Sequence, residues 1–591
     1  MTTTRSRSSF VAVALVLTAA VLGAVRVATQ AAPDGQAAGQ AAAAPALAQL
    51  QPADLVLRNG TIVTLDDRTP NAQALAARNG VIVALGTNEL VARYVGPSTQ
   101  VVDLAGRLAI PGFIEGHGHF TGIGEAKLGL ELMNTTSWEQ IVAMVAQAVE
   151  TARPGQWIVG RGWHQEKWTS TPEGAVEGFP IHDALSRVSP NNPVVLTHAS
   201  GHASFVNAKA MELSNITKDT PNPNGGEVLK DANGNPTGLL RETASRLVRR
   251  GAGEPDPTPA EIAARDRQVL ALADQEVISK GITSFQDAGS SFAVVDRMKR
   301  AIDEGWMNVR LWVMIRGGSA QSLKAGRVVG YGGNRLTVRA IKITADGALG
   351  SRGAWLLEPY ADKPDSTGLA TTPVEEMARQ AQVAIENGYQ VCIHAIGDRA
   401  NREVLNIYED TFRRNNRDGR DLRWRIEHAQ HINGADIPRF GQLGVIASMQ
   451  GIHCTSDAPW VEPRLGAARA EEGAYVWQKL MKSGAVVTNG TDAPVEDVDP
   501  IAGFYASVTR KSANGMVFYP DQRMSRMEAL RSYTINNAFA AFEEDIKGSL
   551  SLGKLADVTV LTANILAVPE EQIRDAKVAM TIVGGKVVYQ R

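Results

Sequence analysis

Cysteine is almost absent from this 591-residue chain, which holds only Cys392 and Cys454. Two thiols allow at most one bridge, so a disulfide scaffold is excluded and buried free thiols are the expected state. Net charge is nearly absent as well, at −2 from 60 basic and 62 acidic residues. That balance removes the electrostatic case for nucleic acid or an anionic membrane surface as a partner. Long uncharged apolar runs are scarce, with one exception at the start. Residues 10–25, FVAVALVLTAAVLGAV, carry no charge and follow a segment containing Arg5 and Arg7 but no acid. This is the arrangement of a secretory leader, and it is short for a spanning helix. Arg5 and Arg7 are not adjacent, so a twin-Arg signal is not indicated, and no cysteine follows to take a lipid. Residues 1–31 are therefore read as a signal peptide, with export to the periplasm or exterior expected. An uncleaved membrane anchor is the alternative. Residues 32–52, rich in Ala, Gly, Gln and Pro, read as a low-complexity linker.

The remainder has ordinary globular composition, 44% hydrophobic and 21% charged, enough to bury a large core. Residues 53–110 predict strands, with Asn-Gly turns at Asn59-Gly60 and Asn79-Gly80 between β-branched runs. The C-terminal residues 546–591 repeat that texture in DVTVLTAN and AMTIVGGKVVYQR. Neither part has strands enough to stand alone, so the two termini are expected to combine into one small β-sandwich. Between them, residues 111–545 carry eight short apolar runs: PGFIEGHGHF, GITSFQDAG, VRLWVMI, TVRAIKITADG, YQVCIHAIGD, RWRIEHAQ, GVIASMQ and AVVTNGTDAP. Helical patterns fill the gaps between the later ones. This predicts an α/β fold, a (β/α)8 TIM-like barrel, with an insertion over about residues 130–275 after the first barrel strand. Whether the insertion's Trp, His and Asn residues form a lid or a packed subdomain is open at this level.

The first run ends in two histidines two residues apart, His117 and His119. Alternation points both side chains to one face. Taken alone, such a pair is compatible with a solvated strand end. The other runs change the reading, because they end in Lys342, His394, His428 and Asp492. Barrel active sites are built at strand C-termini. Imidazoles with a carboxylate suit zinc or a similar divalent metal. Lysine is a poor ligand as an ammonium, and becomes an anionic oxygen ligand if CO2 carbamylates it. A buried ion pair between Lys342 and Asp346 is the competing account.

These motifs, together with WIVGRGWHQEKW, GHASFVN and IKITADGALGSR, resemble the amidohydrolase superfamily over residues 53–591. The resemblance is nearest to the amidohydrolase-3 group, which contains enzymes like N-substituted formamide deformylase. It implies His117 and His119 as ligands of the more buried metal and Lys342 as the lysine that is carbamylated when two ions are bridged. It implies His394 and His428 as ligands of a second metal, and Asp492 as both ligand and proton shuttle. One departure is Gly116, where many members carry Asp or Ser; that position is not a ligand. The implied cofactor is a divalent metal, zinc first, with one or two ions per chain. The implied reaction is hydrolysis of an amide-type, non-peptide C–N bond of a small molecule by a metal-bound hydroxide. A lactonase or ester hydrolase on the same metals, and a catalytically silent regulatory barrel, are the alternatives. A homo-oligomer is compatible with the sequence but not indicated by it.

Three further residues are read as substrate contacts. His202 lies in the inserted THASGHASFVN, Trp163 offers an apolar wall, and Arg352 follows a Gly-rich loop where it could hold an anionic group. Packing for Trp163 and a surface salt bridge for Arg352 are the plain alternatives. His164, His182, His198, His431 and His453 are read as structural or solvated; His453 follows the seventh run and is the one to watch.

Overall fold

The computed structural model describes residues 50–591. The leader, and the linker up to residue 49, lie outside the described residues. Among the described residues no helix is long and apolar enough to cross a membrane.

All eight apolar runs form parallel strands of one sheet. They are β1 (Phe113–Gly118), β2 (Ile282–Ser290), β3 (Arg310–Arg316), β4 (Leu336–Thr344), β5 (Gln390–Ala395), β6 (Arg425–His428), β7 (Ile446–Gln450) and β8 (Val487–Gly490). Each pairs in parallel with the next, from β1 through β8. The seam between β8 and β1 is bridged just past the strand ends. There the Asp492 N–H donates to His117 O and the His119 N–H to Ala493 O, each at 2.7 Å. Glu115 reinforces the seam: its Oε1 accepts from the Thr491 N–H at 2.6 Å and its Oε2 from the Thr491 hydroxyl at 3.0 Å. The strands are near-continuously apolar because helices cover the sheet, as expected for a parallel barrel. Ile282, Phe285, Val313, Val338, Val391 and Ile426 are all buried in that one core.

The termini do combine. A four-stranded sheet comes from residues before β1, ordered Val81–Gly86, Ala74–Arg78, Leu55–Arg58, Gln100–Asp103. A second, six-stranded sheet mixes both ends of the chain, because Leu108–Pro111 pairs antiparallel with Val558–Leu561. Leu55, Leu57, Ile62 and Leu75 share one core with Val558, Val560 and Ile582. The insertion has a six-stranded sheet of its own and a separate core around Trp138, Trp163, Phe179 and Phe205. The helix Pro259–Ser279 that follows already buries Leu270, Ala273 and Val277 in the barrel core. Cys392 and Cys454 are free and buried.

A buried ion pair ties the terminal sheet to the barrel. Arg310, at the start of β3, grips Asp557 through two bonds of 2.7 and 3.0 Å, and Asp557 also accepts from the Gly584 N–H at 2.7 Å. Burial pushes the Asp557 carboxyl up, but Arg310 outweighs it and the group titrates below the ordinary carboxylate range. Asp557→Ala would leave Arg310 buried and unpaired, so a stability loss of about 3–5 kcal/mol is expected in chemical denaturation. Since the folded-state pKa lies below the unfolded one, the pair's contribution is present above the unfolded carboxylate pKa of roughly 4 and is lost as pH falls through the folded value. A denaturation midpoint unmoved by the substitution would show that the pair does not hold the sheet.

Candidate active site

The six polar residues that end the barrel runs gather at one mouth. His117 is fully buried in β1, while His119 starts the helix Phe120–Ala126 as its N-cap and keeps 31% of its side chain exposed. Lys342, His394 and His428 sit on β4, β5 and β6. Asp492 follows β8, and His453 lies in the first turn of the helix Gly451–Leu465 after β7. Two of these residues hold the left-handed backbone region that non-glycine residues rarely adopt, His428 at φ 78° and Asp492 at φ 57°. Such strain persists where surrounding structure enforces it, and it clusters at functional sites.

The donor atoms converge on Asp492. Its Oδ1 is 3.1 Å from His119 Nε2 and 3.5 Å from His117 Nε2. One ligand atom each from His117, His119 and Asp492 lie within 4.8 Å of one another, and so do those of His428, His453 and Asp492. Asp492 is therefore shared by two groups. Lys342 Nζ is 3.3 Å from His117 Nε2. The His394 ring is centred 4.4 Å from that of His428, but His394 belongs to neither group.

A second layer fixes the rings. Glu427 bonds His117 Nδ1, and is held in turn by Arg425 Nη2 at 2.9 Å. Gln450 Oε1 bonds His428 Nδ1 at 2.7 Å, and the Gln430 amide bonds His453 Nδ1 at 3.0 Å. For His117 and His428, Nδ1 donates to an acceptor oxygen and Nε2 is left for the centre, the arrangement that orients metal-binding imidazoles, whereas His453 Nδ1 accepts from Gln430 Nε2. His394 Nε2, His453 Nε2 and Asp492 Oδ1 are buried without a hydrogen-bond partner among the described residues. Buried polar atoms are otherwise almost always paired. Two unpaired ring nitrogens and an unpaired carboxylate oxygen at one barrel mouth, among neutral imidazoles, fit a divalent cation.

Electrostatics agree with that fit. Burial, with the Lys342 ammonium next, lowers His117 to about 4, and burial likewise holds His394 and His428 well below the ordinary imidazole value. Neutral imidazole is the form that ligates. Burial pushes the Asp492 carboxyl up, but His119, His117 and His428 outweigh it and keep it ionised. Burial brings the Lys342 ammonium down to about 8.

Of the substrate contacts expected from sequence, the structure brings one to the site. His202 lines the same cavity as His394, His428 and Asp492, with its ring centred 5.0 Å from that of His394. Its Nδ1 bonds Glu242 Oε2 at 2.6 Å, and Glu242 itself sits at φ 49°. Trp163 is not a pocket wall: it is fully buried among Trp168, Phe179 and Phe205, and its indole N–H donates to Leu196 O at 2.9 Å. Arg352 is not free to bind an anion, because Asp362 holds it at 2.9 Å. The pairing of Lys342 with Asp346 is not formed either. Asp346 instead accepts the backbone N–H groups of Ile396, Gly397 and Trp355 at 2.8–3.0 Å. His198 is structural, packed edge-on against Trp163. His164 is buried beside Trp460, where both line a narrow extension of the site next to His453.

Sequence reasoning left Glu427 and Gln450 out, and gave His453 no role. Glu427 precedes His428, so strict alternation would send the two to opposite faces. The left-handed backbone at His428 breaks that alternation and lets both serve the centre. The signal was a carboxylate inside RIEHAQ, unreadable without the turn.

Comparison with known proteins agrees with this geometry. The amidohydrolase family matches residues 100–589. "Protein LONG AFTER FAR-RED 3" of Arabidopsis thaliana is 34% identical, over 91% of this chain and 92% of its own length. "N-substituted formamide deformylase" of Arthrobacter pascens is 27% identical, over 91% of this chain and 98% of its own. Among solved structures, an uncharacterized metal-dependent hydrolase from Pyrococcus horikoshii superposes with a TM-score of 0.69 at 26% identity, covering 88% of this chain and 99% of that one.

Proposed function

The chain belongs to the amidohydrolase family, and from that premise we propose a metal-dependent hydrolase that cleaves an amide-type, non-peptide C–N bond of a small molecule. The observation that carries this reading is the convergence of imidazole nitrogens on Asp492, with Asp492 Oδ1 and His453 Nε2 buried and unpaired. His117, His119 and Asp492 would hold one ion. His428 with His394, or with His453, would hold a second beside the same carboxylate. Lys342, brought down to about 8 by burial, has the free amine accessible that CO2 needs, which supports a carbamylated bridging lysine.

A divalent cation bound there supplies Lewis acidity that makes water nucleophilic at a pH of roughly 7 and polarises a carbonyl. Asp492 lies where it takes a proton from the attacking water and hands it to the leaving nitrogen. The ionised state that its imidazole neighbours enforce is the one needed for the first transfer. His202, fixed through Nδ1 by Glu242, presents its other edge to the cavity and is positioned to donate to the substrate carbonyl. The name of the Arthrobacter pascens relative supports a formamide or related amide as substrate.

Metal analysis of protein purified without chelator should find one or two zinc-type ions per chain. A panel of N-formyl amines, cyclic amides, esters and lactones should show C–N cleavage that chelation abolishes. Protein without bound metal, or turnover confined to lactones and esters, would overturn the reading.

A further inference from the structure

The catalytic groups open into a cavity of about 1140 Å³ whose lining includes Arg161, Arg246, Arg250 and Arg316. These guanidiniums come from different parts of the chain. Arg161 lies on the inserted strand Ile158–Trp163, Arg246 and Arg250 follow the inserted strand Pro236–Glu242, and Arg316 ends β3. Arg161 is half-buried, while Arg246, Arg250 and Arg316 are exposed and turn their charge into this open cavity. None of these four has a carboxylate oxygen within 4.0 Å among the described residues. Their hydrogen bonds go to neutral groups: Arg161 to Pro494 O and Ala199 O, each at 3.1 Å, Arg250 to Thr197 Oγ1 at 3.4 Å, and Arg316 to Ala288 O at 3.4 Å. The acids on the cavity wall are Glu125, Glu242, Glu254 and Asp492, and Glu242 is already bonded to His202.

Asp287 and then Arg246 act on Arg316, Asp492 and then Arg250 act on Arg161, and Glu125 acts on both Arg161 and Arg250, but none of these acids comes within ion-pair distance of the guanidiniums. Partial burial brings Arg161 down to about 10, while Arg250 and Arg316 keep exposed surface and their charge at the cavity wall. Room has also been made for Arg316. At Gly289, φ +128°, an added Cβ would lie 2.8 Å from Arg316 Nε. The whole chain carries only −2, so this is a local field inside a cleft, where charge acts most strongly on a small ligand.

We propose that the substrate is an anionic amide whose carboxylate or phosphate group is held by Arg161, Arg250 and Arg316 while its C–N bond lies at Asp492. This inference rests on the proposed hydrolase reading and adds the substrate class. Guanidiniums bind either anion through paired N–H donors. It also takes over the anion-binding role expected of Arg352, which Asp362 has neutralised.

The test uses matched compounds that differ at one position. N-Formylbenzylamine is compared with its para-carboxylate and para-phosphate derivatives as substrates for the full chain, and with Arg250→Gln and Arg316→Gln variants. The anionic derivatives should show kcat/KM at least 10-fold above the neutral one, mainly through KM, and the larger of the two identifies the anion. Each variant should lose roughly 10- to 100-fold of that preference, the usual worth of a hydrogen bond to a charged group. Equal kcat/KM for neutral and anionic compounds, with hydrolysis of all three, would overturn this inference and leave the hydrolase reading standing. Binding is also read without turnover, by calorimetric titration with 4-methylbenzoate and 4-methylphenyl phosphate, neither of which has a scissile amide. Binding weakened by Arg316→Gln supports the site even if no amide is cleaved, which would sink the hydrolase reading alone. Binding unchanged in both variants places the anion elsewhere and overturns the proposal.

Discussion

Asp492→Asn is expected to leave metal largely in place and reduce turnover by roughly 10²- to 10⁴-fold, the range for a positioned acid–base group. The amide keeps the shape of the carboxylate and one oxygen that can face His119 and His117, at the positions now 3.1 and 3.5 Å away. It cannot accept the proton of the attacking water. The seam of the barrel should survive, because Asp492 joins it through its backbone N–H to His117 O and not through its side chain. The measurement is metal content and rate on the same preparation. Full metal with near-normal turnover would remove Asp492 from the chemistry. Loss of metal and rate together would make it a ligand first, with no separate evidence for the proton step.

The second large effect is expected at Lys342. It stands in β4 among Val338, Ala340 and Ile341, with Nζ 3.3 Å from His117 Nε2 and no acid of its own. A buried ammonium against His117 is unfavourable for metal binding, a conflict that the proposed carbamate would remove. Lys342→Ala should therefore lose most of its metal and at least 10²-fold in activity. Partial recovery is expected with a short carboxylic acid such as propionate, which returns an oxygen ligand to the space left by the side chain. His117→Ala should lose metal in the same assay but gain nothing from the acid, because it lacks a nitrogen and not an oxygen. Wild-type metal content in Lys342→Ala would exclude a ligand role. Loss of folding, seen by circular dichroism, would move Lys342 to a structural one.

Much of this protein was legible before its fold was known. Eight apolar runs, Asn-Gly turns and β-rich ends are local signals, set by side-chain period and turn chemistry, and each run became a strand of the expected sheet. The candidate ligands were legible for the same reason: a histidine, lysine or aspartate ending an otherwise apolar strand is costly unless a centre is built there. What lies between strands was not legible. His453 joins the centre from a helix start, Glu427 reaches His117 from the face it shares with Arg425 while a left-handed backbone redirects His428, and Arg161, Arg250 and Arg316 come to line one cavity only when the insertion folds over the barrel mouth. Trp163 and Arg352 show the opposite case, residues with suitable chemistry whose partners, Phe205 and Asp362, are supplied by packing. Periodicity places a side chain on a face. Only the closed barrel and its covering sheet decide what that face meets, because those contacts join segments hundreds of residues apart.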